Sequence, residues 1–123
     1  MNTQNITSRL EKHMYSMDNI VFAYLFGSYV KGTQSESSDV DIALYLKDSS
    51  LDSKLQTSYE LSKLLKKDVD LVVVNEVKNI YLLEDIIYNS IVLKDSESRF
   101  DFELSRQHDI LDFKEFKRMM DVA

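Results

Sequence analysis

The sequence contains no cysteine. That excludes disulfides, thiolate zinc sites and cysteine nucleophiles, and it agrees with a reducing compartment. The two histidines, His13 and His108, are too few for a three-histidine metal centre within one chain. Proline is absent as well, and neither a low-complexity stretch nor an internal repeat interrupts the chain, so nothing marks a domain boundary. Long apolar runs are lacking. The longest, Ile20-Val21-Phe22-Ala23-Tyr24-Leu25-Phe26, falls far below the roughly 20 residues that a bilayer-spanning helix needs. The opening Met1-Asn2-Thr3-Gln4-Asn5-Ile6 has neither the basic patch nor the apolar stretch of a signal peptide. The expectation is a cytoplasmic protein without membrane association. Basic charge is in deficit, with 15 Lys and Arg against 21 Asp and Glu and a net charge of −6. Such a chain repels phosphate backbones, which argues against general nucleic-acid binding but allows a nucleotide whose charge a metal neutralises.

What is present suits one domain over residues 1–123. The 123 residues are 44% hydrophobic and 29% charged, enough for a single core. Ile6, Leu10, Met14 and Met17 recur at helical spacing and predict a first helix over 4–17, with Ser8 and Glu11 able to form a capping box for a later start. Residues 20–26 are apolar on both faces, as in a buried central strand. Residues 39–46 alternate, with Val40, Ile42, Leu44 and Leu46 on one face and Asp39, Asp41, Ala43 and Tyr45 on the other. A helix over 51–67 is expected, capped by Ser50, with Leu51, Leu55, Tyr59, Leu61, Leu64 and Leu65 inward. A strand over 68–74, a helix over 78–89 facing inward through Ile80, Leu83, Ile86 and Ile87, and a short strand over 90–93 follow. Residues 96–119 read as a charged amphipathic helix, continuous or broken in two, that buries Phe100, Leu104, Leu111, Phe116 and Met119. The mixture implies an α/β fold (α+β mixed), a small sheet of about four strands flanked by helices.

The chemistry concentrates in the first half. Asp39 and Asp41, at i and i+2 of a strand, lie on one side about 7 Å apart at the backbone, where they repel unless a cation joins them. Oxygen ligands of this kind suit magnesium or manganese. A second such pair, Asp68 and Asp70, opens the later strand. Both glycines of the chain, Gly27 and Gly32, lie just ahead of Asp39. Gly27-Ser28 follows the buried strand and opens a helical turn, placing amides and a hydroxyl where a phosphate can dock. His13, beside the apolar stripe of the first helix, reads as a packed or exposed side chain rather than a catalytic one.

Gly27-Ser28-Tyr29-Val30-Lys31-Gly32, followed after ten residues from Ser28 by Asp39-Val40-Asp41, resembles the Gly-Ser…Asp-x-Asp signature of the nucleotidyltransferase superfamily that includes the polymerase β palm. Val69-Asp70-Leu71-Val72-Val73 supplies the third carboxylate of that pattern, with Asp70 inside the strand and Asp68 at its edge. The small size is similar to the minimal nucleotidyltransferase (MNT) group, which includes the MntA-type antitoxins of HEPN/MNT toxin–antitoxin pairs. Where many relatives carry Ala-Arg-Gly or Ala-Lys-Gly, this chain has Val30-Lys31-Gly32. Arg106-Gln107-His108 lacks the Arg-x4–6-His spacing of HEPN ribonucleases, so the chain resembles the MNT member of such a pair.

The resemblance implies a set of roles. Asp39, Asp41 and Asp70 would hold two magnesium ions, with manganese as an alternative, and Asp70 would also receive a proton. Gly27, Ser28, Lys31 and Gly32 would bind the phosphates of ATP, and Tyr29 is placed to line that site. The implied reaction is AMP transfer from ATP to a tyrosine of a cognate HEPN toxin. Two other readings stand beside it: an antitoxin that occludes its toxin without catalysis, and a subunit that modifies a small molecule with a separate helical partner.

Overall fold

The computed structural model describes residues 2–122. Its elements run in the order α1 (Thr3–Met14), β1 (Ile20–Phe26), α2 (Ser28–Lys31), β2 (Val40–Leu46), α3 (Leu51–Leu65), β3 (Val69–Val73), a 3-10 turn (Val74–Glu76), α4 (Ile80–Tyr88), β4 (Ile91–Lys94) and α5 (Glu97–Val122). The strands form one mixed sheet in the order β3-β2-β1-β4. β1 is antiparallel to β2 and β4, while β2 is parallel to β3.

Period-2 alternation assigns the two sides. Val40, Ile42, Leu44 and Leu46 face a core shared with Ile6, Leu10 and Met14 of α1 and Leu61 and Leu65 of α3. Ala43 and Tyr45 face a second core with Leu83 and Ile86 of α4 and Ile110 of α5. β1 is buried on both sides, as expected of a central strand clothed by helices on each face. Its ring of Phe22, Tyr45 and Phe102 packs with centroids 5.0 to 6.0 Å apart. Tyr24 reaches through this layer, and its hydroxyl donates to Glu103 Oε2 at 2.7 Å. Arg99 Nη1 donates to the same oxygen at 2.7 Å, so the first half of α5 is pinned to the sheet.

Several expectations need correction. α1 is capped by Asn2, whose side chain accepts from the Asn5 amide at 2.8 Å, and not by a Ser8–Glu11 box. It also stops at Met14, three residues short of the expected end. In α3, Leu51, Leu55 and Tyr59 are 70%, 60% and 58% exposed, and the inward residues are Thr57, Leu61 and Leu65, with Leu64 partly buried against the same core. The largest departure is in α5. It is one continuous helix, and all five residues expected to be buried are exposed: Phe100, Leu104, Leu111, Phe116 and Met119. The side that meets the sheet is instead Phe102 and Ile110, with Arg106 donating to the Val77 carbonyl at 3.0 Å. A helix with apolar residues on two sides can bury only one of them against a single sheet. Among the described residues no helix is long and apolar enough to cross a membrane.

Candidate active site

One end of the sheet collects the residues singled out above. β1 ends at Phe26, which is paired in register with Asp41 of β2. The chain then turns at Gly27 with φ 78° and ψ −147°, a conformation only glycine adopts without strain. A side chain is also excluded by contact, because a Cβ at Gly27 would overlap Asp41 Oδ2. α2 starts at once, and Gly27 O accepts from the amides of Val30 and Lys31, each at 3.1 Å. Ser28 and Tyr29 lie in the first turn, where backbone N–H groups have no partner within the helix. Gly32 ends the turn in the left-handed region with φ 76°, and its amide donates to Ser28 O.

The carboxylates meet from neighbouring strands. The parallel register sets Asp41 directly opposite Asp70. Asp39 lies one residue ahead of β2 rather than within it, and Val40 N donates to Asp68 O at 3.0 Å. Asp68 thus precedes β3, and Asp70 is the residue that faces Asp41. Asp39 and Asp70 are exposed, whereas Asp41 is partly buried. The Asp41 carboxyl is held above the usual carboxylate range, first by burial, then by the charge and hydrogen bonding of Asp70, and then by Asp39 and Asp85. Crowded carboxylates are what a hard divalent cation would relieve, and the all-oxygen donor set suits one. Among the described residues, no group of three or more His, Cys, Asp or Glu side chains is gathered closely enough to hold a metal ion.

The remaining residues divide. Lys31 Nζ lies 3.4 Å from both Asp85 Oδ1 and Asp85 Oδ2, so the lysine expected at the phosphates is paired with α4. Asp85 was not singled out from the sequence; its only signal there is an acid next to the inward-facing Ile86 of an apolar helix. Tyr29 does not line this site. It is 3% exposed and packs in the core on the α1 and α3 side of the sheet, opposite the side that Asp41 shares with Ala43. His13 Nε2 sits 2.9 Å from Glu60 Oε1, away from the carboxylates.

Comparison with known proteins follows the same lines. The family model described as polymerase beta, nucleotidyltransferase matches residues 4–99. A Methanocaldococcus jannaschii protein provisionally named a protein adenylyltransferase is 37% identical over 82 residues, covering 63% of this chain and 81% of that one. The protein adenylyltransferase MntA of Shewanella oneidensis is 47% identical over 51 residues, covering 40% of this chain and 36% of MntA. Among solved structures, a toxin–antitoxin crystal structure with AMP-PNP matches with a TM-score of 0.70 at 24% identity, over 99% of this chain and 96% of the other. A tri-AMPylated Shewanella oneidensis HEPN toxin in complex with its MNT antitoxin matches with a TM-score of 0.67 at 20% identity, over 94% and 95%. At those identities the two structures speak to the fold. The family model covers most of the chain, and the chain therefore belongs to the polymerase beta nucleotidyltransferase family.

Proposed function

We propose that the chain, as one minimal nucleotidyltransferase domain over residues 1–123, is a cytoplasmic antitoxin that transfers AMP from ATP to a tyrosine hydroxyl of a HEPN toxin. The observation that carries this reading is the register pairing of Asp41 with Asp70 directly against side-chain-free Gly27. In this reading the Ser28 hydroxyl and the amides of the Gly27–Ser28 turn hold the terminal phosphates of ATP, and Gly32 closes the turn beneath them. Asp39, Asp41 and Asp70 would hold divalent cations, two magnesium or manganese ions, which when bound neutralise the triphosphate and acidify the attacking hydroxyl. The acceptor oxygen bonds to the α-phosphorus, the bond to the bridging oxygen of the β-phosphate breaks, and pyrophosphate leaves. Asp70, the exposed carboxylate of the pair, takes the hydroxyl proton.

This reading places the acceptor on another molecule. Phe100, Leu104 and Leu111 recur along one exposed side of α5 and supply the apolar surface for a protein partner. That relatives carry protein adenylyltransferase names, and that similar folds occur in HEPN toxin complexes, supports a protein acceptor. The test is the intact mass of a HEPN partner after incubation with this protein, ATP and magnesium. One or more additions of about 329 Da, each an AMP joined through a new phosphoester bond, are expected together with loss of ribonuclease activity. A toxin that is silenced with unchanged mass would establish occlusion instead.

A further inference from the structure

The ion pair between α2 and α4 differs from the other pairs of this protein. Lys54 and Glu76 close to 2.8 Å, and Arg99 and Asp95 to 2.7 Å. Lys31 stops 3.4 Å from both oxygens of Asp85. Relaxed N–H···O contacts between charged groups close to about 2.7–2.9 Å, so this pair is not drawn fully together. The two partners are also unequally held. The Asp85 side chain is 24% exposed, and its Oδ1 accepts at 3.2 Å from Nδ2 of Asn89, the residue that caps α4, which orients the carboxylate. The Lys31 side chain is 52% exposed, so solvent reaches it more than its partner.

Position gives this looseness a use. Lys31 is the last residue of α2, whose first residue is Ser28. Four helical residues rise by only about 5 Å, so a lysine at the end of the turn can reach ligands held at its start. Asp85 lies near enough to Asp41 for its charge to act there. It is therefore a fourth acid bordering the site, and Lys31 is the cation shared between that acid and any incoming polyphosphate. A triphosphate offers higher charge and more acceptor oxygens than one carboxylate, so it wins the lysine from a loose partner.

We infer that Asp85 is a positioning residue for nucleotide: it parks the Lys31 ammonium beside the site while no nucleotide is bound and yields it to the phosphates on binding. This rests on the nucleotidyl-transfer reading. It adds an exchange of partners between residues 54 positions apart.

Calorimetry of ATP binding in the presence of magnesium tests the exchange in a double-mutant cycle of Asp85→Asn and Lys31→Met. Asp85→Asn frees the lysine, so ATP binding tightens about fivefold in the wild-type background and less than about twofold in the Lys31→Met background. With a HEPN partner present, the same change appears in KM for ATP rather than in kcat. Equal tightening in both backgrounds would reduce Asp85 to a repelling charge and overturn the exchange; so would unchanged or weaker binding in the single variant. Asp85→Ser gives the same cycle if Asp85→Asn does not fold. A wild-type protein that binds no ATP at all would overturn the nucleotidyl-transfer reading itself, a result distinct from binding without coupling.

Discussion

Asp41 concentrates the electrostatic cost of this fold. It lies in register with Asp70, borders Gly27, and feels Asp39 and Asp85. Its carboxyl is raised above the ordinary value of 3.8 in the folded chain. The folded state then binds the proton more tightly than the unfolded state, and stability falls as pH rises through the folded-state value. At neutral pH, without a cation, ionised Asp41 therefore destabilises the fold. Asp41→Asn is expected to raise the urea midpoint at pH 7 in metal-free buffer, with the gain shrinking to nothing as pH falls below 3.8. A midpoint below that of the wild type at pH 7 would show that the carboxylate is better compensated than its neighbours imply. Gly27 and Gly32 illustrate a related point at the same scale. Both have positive φ, but an added Cβ meets the Asp41 carboxylate at the first and nothing within 4 Å at the second. Only Gly27 is thus required by the site as well as by the turn.

Among the elements, α5 has two faces, one packed on the sheet and one open. Ile110 and Leu111 are adjacent, yet the first is 1% exposed and the second 61%. The buried face is also tied by the Tyr24–Glu103–Arg99 cluster, in which Arg99 further pairs with Asp95. Burial of the Tyr24 hydroxyl beside Glu103 raises its pKa well above the ordinary tyrosine value, so it remains a hydrogen-bond donor at any physiological pH. Ile110→Ala is expected to lower unfolding free energy by about 2–4 kcal/mol through the cavity it leaves. Leu111→Ala on the open face should change it by less than about 0.5 kcal/mol. Urea denaturation of the two variants gives the comparison. Equal losses would mean that the face carrying Phe100, Leu104 and Leu111 is covered within the chain.

For the molecule as a whole, the proposed reading puts chemistry and partner binding in different places. The carboxylates sit where β1 ends and β2 and β3 begin, while Phe100, Leu104, Leu111, Phe116 and Met119 are exposed along α5. A mutation at the first should leave the second intact. Asp39 is exposed and outside β2, so Asp39→Asn costs the fold little. The variant is expected to co-purify with a HEPN partner as the wild type does, yet to add no AMP to it, and excess EDTA should abolish transfer by the wild type as well. Transfer that continues in excess EDTA would rule out the divalent cation. Loss of co-purification by Asp39→Asn would show that the acid cluster itself forms part of the partner surface.

Much of this was legible in the amino-acid order alone. A strand's side chains alternate by local stereochemistry, so Val40, Ile42, Leu44 and Leu46 declared a face without reference to any neighbour. The string from Gly27 to Asp41 likewise put a turn residue, a hydroxyl and two carboxylates within fifteen positions of one another, which marked the candidate site. Other features depended on what each element met. α3 and α5 carry apolar residues on more than one side, and only packing against the sheet selected Leu61 over Leu55 and Ile110 over Leu111. The parallel register of β2 and β3 brought Asp70, and not Asp68, opposite Asp41. The meeting of Lys31 with Asp85 joins α2 to α4. Local periodicity determines which faces a segment can offer; which face is used, and which distant charges become neighbours, is set when the helices compete for two sides of one sheet.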